Sequence, residues 1–174
     1  MALRIGVFVF FLGLGACTFQ PPEPEPAVLP EITMEGLNTF GCTVGGEIYQ
    51  ARGRWTPPVE AIVSNWDLFL RTWDRTNDEY IHLTIQFDDS PWTYSPGKYY
   101  VKGNSFGILP NDIVVHDPNL TVRGRSVSYD SAYLEILYID EASRIISGTF
   151  QFDAETVDGD TVQIRKGRFD VTAG

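Results

Sequence analysis

Glu79-Tyr-Ile-His-Leu-Thr-Ile-Gln-Phe87 alternates polar and apolar residues without a break. Ile81, Leu83, Ile85 and Phe87 fall on one side of an extended chain, and Tyr80, His82, Thr84 and Gln86 on the other. A period of two places successive side chains on opposite faces, which is the pattern of a strand with one face in a core.

The same grammar runs through the last third of the chain. Ala132–Ile139, Arg144–Asp153 and Thr161–Val171 are separated by Asp140-Glu-Ala-Ser143 and Val157-Asp-Gly-Asp160, which predicts a three-strand meander. Upstream, Thr39–Val44 and Glu47–Arg52 flank Gly45-Gly46, and two glycines supply the positive φ angles that a tight hairpin turn requires. The stretch from Thr56 to Trp73 is mixed: Val59, Ile62, Val63, Trp66, Phe69, Leu70 and Trp73 follow helical spacing, while Trp66, Leu68 and Leu70 also alternate. Strands are expected over 67–73 and 79–87, with at most a short helical piece near 58–65. Residues 88–118 are rich in turn formers around one short strand, 98–102. The sum is an all-β domain, an antiparallel β-sandwich or up-and-down β-barrel of about eight mostly hairpin-connected strands. A chain from 37 to 174 is long enough to bury one independent core without a metal or disulfide.

The N-terminal text is of another kind. Ile5–Leu14 is a greasy run behind Arg4, about half of the ~20 residues that a membrane-spanning helix needs, so it reads as the core of an export signal. Leu14-Gly15-Ala16-Cys17 resembles the lipobox of bacterial lipoproteins, which implies a signal peptide over 1–16 and a lipidated Cys17 as the first mature residue. Buried acyl chains contribute ~0.8 kcal/mol per methylene, enough in number to hold a protein on a membrane. Residues 17–36 follow as a Pro/Glu-rich tether, with prolines at 21, 22, 24, 26 and 30. Extended at ~3.1 Å per residue, residues 18–36 would stand the domain up to ~60 Å off the lipid. Residue 18 is Thr, not the Asp that typically retains lipoproteins at the inner membrane, and no acidic cluster directly follows Cys17. The resemblance therefore implies an outer-membrane anchor, with the periplasmic face favoured over the cell surface.

Loss of residues 1–16 removes one base, Arg4, and no acid, and takes the net charge from −10 to −11. An acidic chain without a basic cluster argues against nucleic acid and against electrostatic adhesion to anionic lipid. Cys42 then lacks a partner for an intramolecular disulfide and reads as a small buried hydrophobe.

Asn38-Thr-Phe-Gly-Cys42 before a glycine hairpin, and Ile146-Ser-Gly-Thr-Phe-Gln-Phe152 followed by Gly159, Val162, Ile164 and Gly167-Arg-Phe-Asp-Val171, resemble a family of small, uncharacterised Bacteroidetes-type lipoproteins. The resemblance implies an all-β fold and a lipid anchor, and brings no activity or site residues with it.

A search for chemistry ends without catalytic residues, a metal site or a cofactor. His82 and His116 are far apart, and His82 lies on the polar side of its strand. Asp88 and Asp89 are adjacent and point to opposite faces. Asp158 and Asp160 fit a turn better than a calcium loop, and Asn119-Leu-Thr121 is a bare glycosylation tripeptide. Trp92, Tyr94 and Tyr99, held near Pro91 and Pro96, form the candidate ligand-binding group, since aromatic faces on a stiff loop hold sugars and partner chains. The competing reading has these rings capping one end of the core, and Trp66 and Trp73 are placed in the core outright. The expected role is non-enzymatic: a membrane-anchored binding or accessory module for a glycan, a lipid or a partner protein of the cell envelope. A structural envelope protein acting by association is the alternative, and a hydrolase ranks last.

Overall fold

The computed structural model describes residues 25–53, 57–65, 67–74, 79–86, 90–100, 109–117, 120–126, 132–156 and 159–174. Cys17, Trp66, Asp88, Asp89, Asn119 and Asp158 lie outside them. Among the described residues there is no α-helix, and the strands are β1 (Thr39–Val44), β2 (Glu47–Gln50), β3 (Val59–Val63), β4 (Asp67–Asp74), β5 (Glu79–Gln86), β6 (Gly97–Tyr100), β7 (Leu109–Asp117), β8 (Leu120–Ser126), β9 (Tyr133–Asp140), β10 (Ile145–Thr156) and β11 (Thr161–Thr172).

All pairings between these strands are antiparallel. Six strands run β2-β1-β11-β10-β9-β6 in one layer, and β3-β4-β5 make a second, giving a sandwich-like fold. The layers are continuous because β10 branches. Its first half, Ile145–Gln151, pairs with β9, whereas Ala154 and Thr156 pair with β8, which leads through β7 to β5. The far side closes where β3 meets the end of β11: Gly174 N donates to Ala61 O at 2.9 Å, and Arg52 N donates to Trp73 O at 2.9 Å.

The meander and the glycine hairpin form as their sequences predict, and Gly45 and Gly46 take φ of 59° and 100°. The piece near 58–65 that helical spacing suggested is not helical but strand β3. Its spacing arose because two strands face differently: Val59 and Ala61 are buried on β3, Leu68 and Leu70 on β4, and Phe69 and Trp73 are left on the outer side. Strands β7 and β8 were also hidden in the text. Pro110 cannot donate to a ladder, and it sits at a bulge, where β7 spends Asp112 and Pro110 on the consecutive β5 residues Thr84 and Ile85.

The core rests on phenylalanine. Phe40 lies 5.6 Å from Phe150, which lies 6.0 Å from Phe152 and 6.4 Å from Phe169, centroid to centroid. Gly148 opposes Phe169 and Phe150 opposes Gly167 in the β10–β11 register, so each ring lies over the glycine across from it. Between Ile164 and Gly167 β11 carries one extra residue, with Lys166 at φ 53°, and this bulge changes the inward-facing parity from Ile164 to Phe169 and Val171. Ile81, Leu83 and Ile85 are buried as their alternation predicts.

The segment before β1 departs from a free spacer. Residues 25–38 have no regular structure but lie along the outer side of β2, β1 and β11. Arg52 Nη1 donates to Glu25 O at 2.6 Å, Val28 N to Gln50 Oε1 at 3.1 Å and Arg168 Nη1 to Pro30 O at 2.9 Å. Asp170 holds the end of this strap. Its carboxylate accepts from Thr33 Oγ1 at 2.6 Å, from the amides of Glu35, Gly36 and Leu37 at 3.1, 2.8 and 3.2 Å, and from Ser147 Oγ. Proline-rich chain cannot make a ladder, so side chains of the sheet supply its partners instead.

Candidate functional site

An open groove of about 370 Å³ lies where the sandwich closes, lined by Asn38, Pro57, Val59, Glu60, Ala61, Trp73, Thr172 and Gly174. The lining is mainly apolar, and Trp73 gives it an aromatic wall. Register explains the indole's position: with Leu68, Leu70 and Thr72 turned inward, the odd residues of β4 face out, and Trp73 is partly buried there instead of in the core. Its backbone is pinned on both sides, since Trp73 N donates to Pro58 O at 2.9 Å and Trp73 O accepts from Arg52 N. Beneath this end lies a polar plug. Asp74, 1% exposed, pairs with Arg52 at 2.7 Å, and the buried Thr72 hydroxyl donates to Ile81 O while bonding the Tyr49 hydroxyl at 2.7 Å. These contacts tie the end of β2 to β4 and β5 beneath the groove.

On the same outer face Glu60, Arg71 and His82 stand in one row across β3, β4 and β5, and Trp73 opposes Tyr80 in the next. Arg71 and Glu60 approach to 3.5 Å as an exposed pair. The His82 ring is 4.9 Å from Tyr80 and 6.2 Å from Trp73. Partial burial and the Arg71 cation hold His82 below its ordinary pKa, with Glu60 opposing, so the imidazole is neutral at pH 7. That suits an imidazole packed among aromatic rings, and its Nε2 is buried with no hydrogen-bond partner among the described residues.

Trp92, Tyr94 and Tyr99 sit elsewhere, beside the 3₁₀ turn Pro91–Thr93 and on β6. All three pack their inner edges on the core and stay partly exposed. Tyr94 and Tyr99 meet edge to face at 5.4 Å, and the Tyr99 hydroxyl donates to Ser95 O at 2.6 Å. The structure thus brings Tyr94 and Tyr99 into contact, packs both and Trp92 against the core, and leaves all three out of the lining of the Trp73 groove. Lys98 Nζ lies 3.7 Å above the Tyr133 ring at the same edge.

The chain matches no family model, no curated protein and no solved structure. Among the described residues no group of three His, Cys, Asp or Glu side chains is placed to hold a metal ion. Cys42 is fully buried on β1 opposite Tyr49 of β2, and burial pushes its thiol well above the usual range. Thiolate is the reactive form, so native protein is expected to resist a maleimide for hours and to label within minutes in 6 M guanidinium.

The groove is not legible from local pattern, which places Trp73 in the core and allows at most a short helical piece near 58–65. The available signal was Trp73 itself. Strict alternation from Leu68 puts an odd-numbered indole on the outer face. Nothing local marked Asp170, whose strap partners are more than 130 residues away.

Proposed function

We propose that this chain is an exported lipoprotein, held by acyl chains on Cys17 to the periplasmic face of the outer membrane, whose β-sandwich is a non-enzymatic binding or accessory module. The observation that carries the binding part is the Trp73 groove: an outward-facing, mainly apolar recess with Asn38 and Glu60 at its margin. Ligand sites are concave and mostly apolar with few polar groups, and this recess has that composition. A glycan, a lipid or a partner chain are the candidate occupants. The buried Thr72, Asp74, Ser147 and Asp170 side chains are engaged with backbone, strap or other side chains, which supports ranking a hydrolase last. A structural role by protein association is the second reading, favoured by the partly exposed Trp92, Tyr94 and Tyr99 rings.

The anchor has a direct test. In cells, the parent chain is expected in the membrane fraction with its mass raised by the lipid, whereas Cys17→Ser is expected to be soluble or to remain uncleaved. A Cys17→Ser chain that still gains the lipid mass, or a parent chain that does not, sinks the anchor. For the module, native mass spectrometry of protein isolated from its own cells should show a bound species that Trp73→Ala loses. Loss in Trp92→Ala instead moves the site to the second ring cluster.

A further inference from the structure

The strap changes what the tether is able to do. Arg52 holds Glu25 through its guanidinium and Trp73 through its backbone amide, so the chain leaves the domain at the end that carries the groove. This is also the end at which β11 finishes: Ala51 N donates to Phe40 O, and Phe40 opposes Phe169. If Cys17 bears the anchor, as proposed above, eight residue steps separate it from Glu25. At ~3.1 Å each for proline-rich chain they reach about 25 Å. The opposite end of the sandwich is farther than that, since β11 has 12 residues and rises ~3.3 Å per residue, about 40 Å in all. A domain with its opposite end on the membrane would need more chain than that.

We infer that the Trp73 end of the sandwich faces the bilayer and that the Trp73 groove docks on the zwitterionic headgroup layer of the leaflet that carries the anchor. The inference rests on the lipid-anchor reading and names the occupant of the same groove. Three features suit it. The wall is an indole, whose amphipathic ring settles at the headgroup level. The exposed Pro57 adds apolar area beside it, over a floor of the buried Val59 and Ala61. The acidic net charge, −11 without residues 1–16, disfavours docking by attraction to anionic lipid, so neutral interfacial contact is the form left open. A second weak membrane contact next to a covalent anchor also fixes orientation, which acyl chains alone do not.

The test uses the full lipidated chain in phosphatidylcholine vesicles whose acyl chains are brominated near the glycerol, with tryptophan emission as readout. Two variants accompany it: Trp73→Phe, a conservative change at a partly exposed position, and a 20-residue Gly/Ser insertion between Pro24 and Glu25. Both should float with the vesicles, and each should show at least a twofold smaller quenched fraction than the parent. Flotation of all three with equal quenching overturns the docking and leaves the groove to a glycan or a protein. Failure of the parent to float, or the lipid mass on Cys17→Ser, overturns the anchor instead, so the two failures are separable.

Discussion

Asp170→Ala is expected to cost about 3 kcal/mol and to release the strap, because it strips a buried carboxylate from its hydrogen-bond donors at once. The side chain is 1% exposed. Burial by itself raises its pKa, but the hydroxyls of Ser147 and Thr33 and the amides of Gly36 and Leu37 outweigh that and hold the carboxyl below the usual range. The strap amides are able to turn to water once detached, which limits the loss, while the Ser147 hydroxyl stays buried without its partner. The pH dependence follows from the lowered folded value. The contribution is complete above the unfolded carboxyl pKa of about 4 and is lost as pH falls through the folded value below it. Urea denaturation at pH 7 and pH 3 should therefore show the parent losing more stability on acidification than the variant. At pH 7 a Glu-specific protease should cut after Glu31 and Glu35 in Asp170→Ala and spare the parent. Equal cleavage of both would mean that the strap is held by something other than this carboxylate.

Gly148→Ala and Gly167→Ala should each destabilise by about 3 kcal/mol, near the upper end for overpacking, and lower Tm by about 10 °C. Neither glycine has a positive φ, so the penalty is one of space. A Cβ on Gly167 would stand 2.5 and 2.6 Å from Cδ2 and Cζ of Phe150, and one on Gly148 would stand 2.6 Å from the Glu135 carbonyl oxygen and 2.9 Å from Cζ of Phe169. Neither ring has room to yield, since Phe150 is 2% exposed and Phe169 3%, and Phe40 and Phe152 flank Phe150. The clash with Phe150 has a specific rescue. Phe150→Leu alone costs a few kcal/mol of core packing, but combined with Gly167→Ala the loss should fall short of the sum by about 1 kcal/mol or more. Strict additivity would show that the ring and the glycine are not coupled. Gly148→Ala meets backbone as well as ring, so a smaller residue at Phe169 should rescue it less.

The two predictions also explain why the text around these residues looks as it does. Ser147-Gly148 and Gly167, with Asp170 nearby, are where two aromatic rings need bare backbone across the ladder and where one carboxylate must receive a distant segment. Such pairs leave a trace in the sequence as glycines inside strands, but their partners do not.

The strands with one buried face were legible because a period of two is a property of neighbours along the chain. Residues 79–86, the three-strand meander and the Gly45-Gly46 hairpin needed no tertiary knowledge. So was the character of the chain's start: Arg4, the apolar run and Cys17 make their argument by composition and order alone. The rest depended on separation. β3 became a strand because β4 offered it a ladder and the end of β11 a further partner at Ala61, and β7 carries Pro110 where a bulge interrupts its ladder with β5. Trp73 faces outward because its neighbours on β4 were drawn into the core, and the strap lost its freedom to Asp170, Arg52 and Arg168. Hydrogen bonds and packing between residues up to 138 positions apart decided these points, and no local pattern records which distant group will arrive.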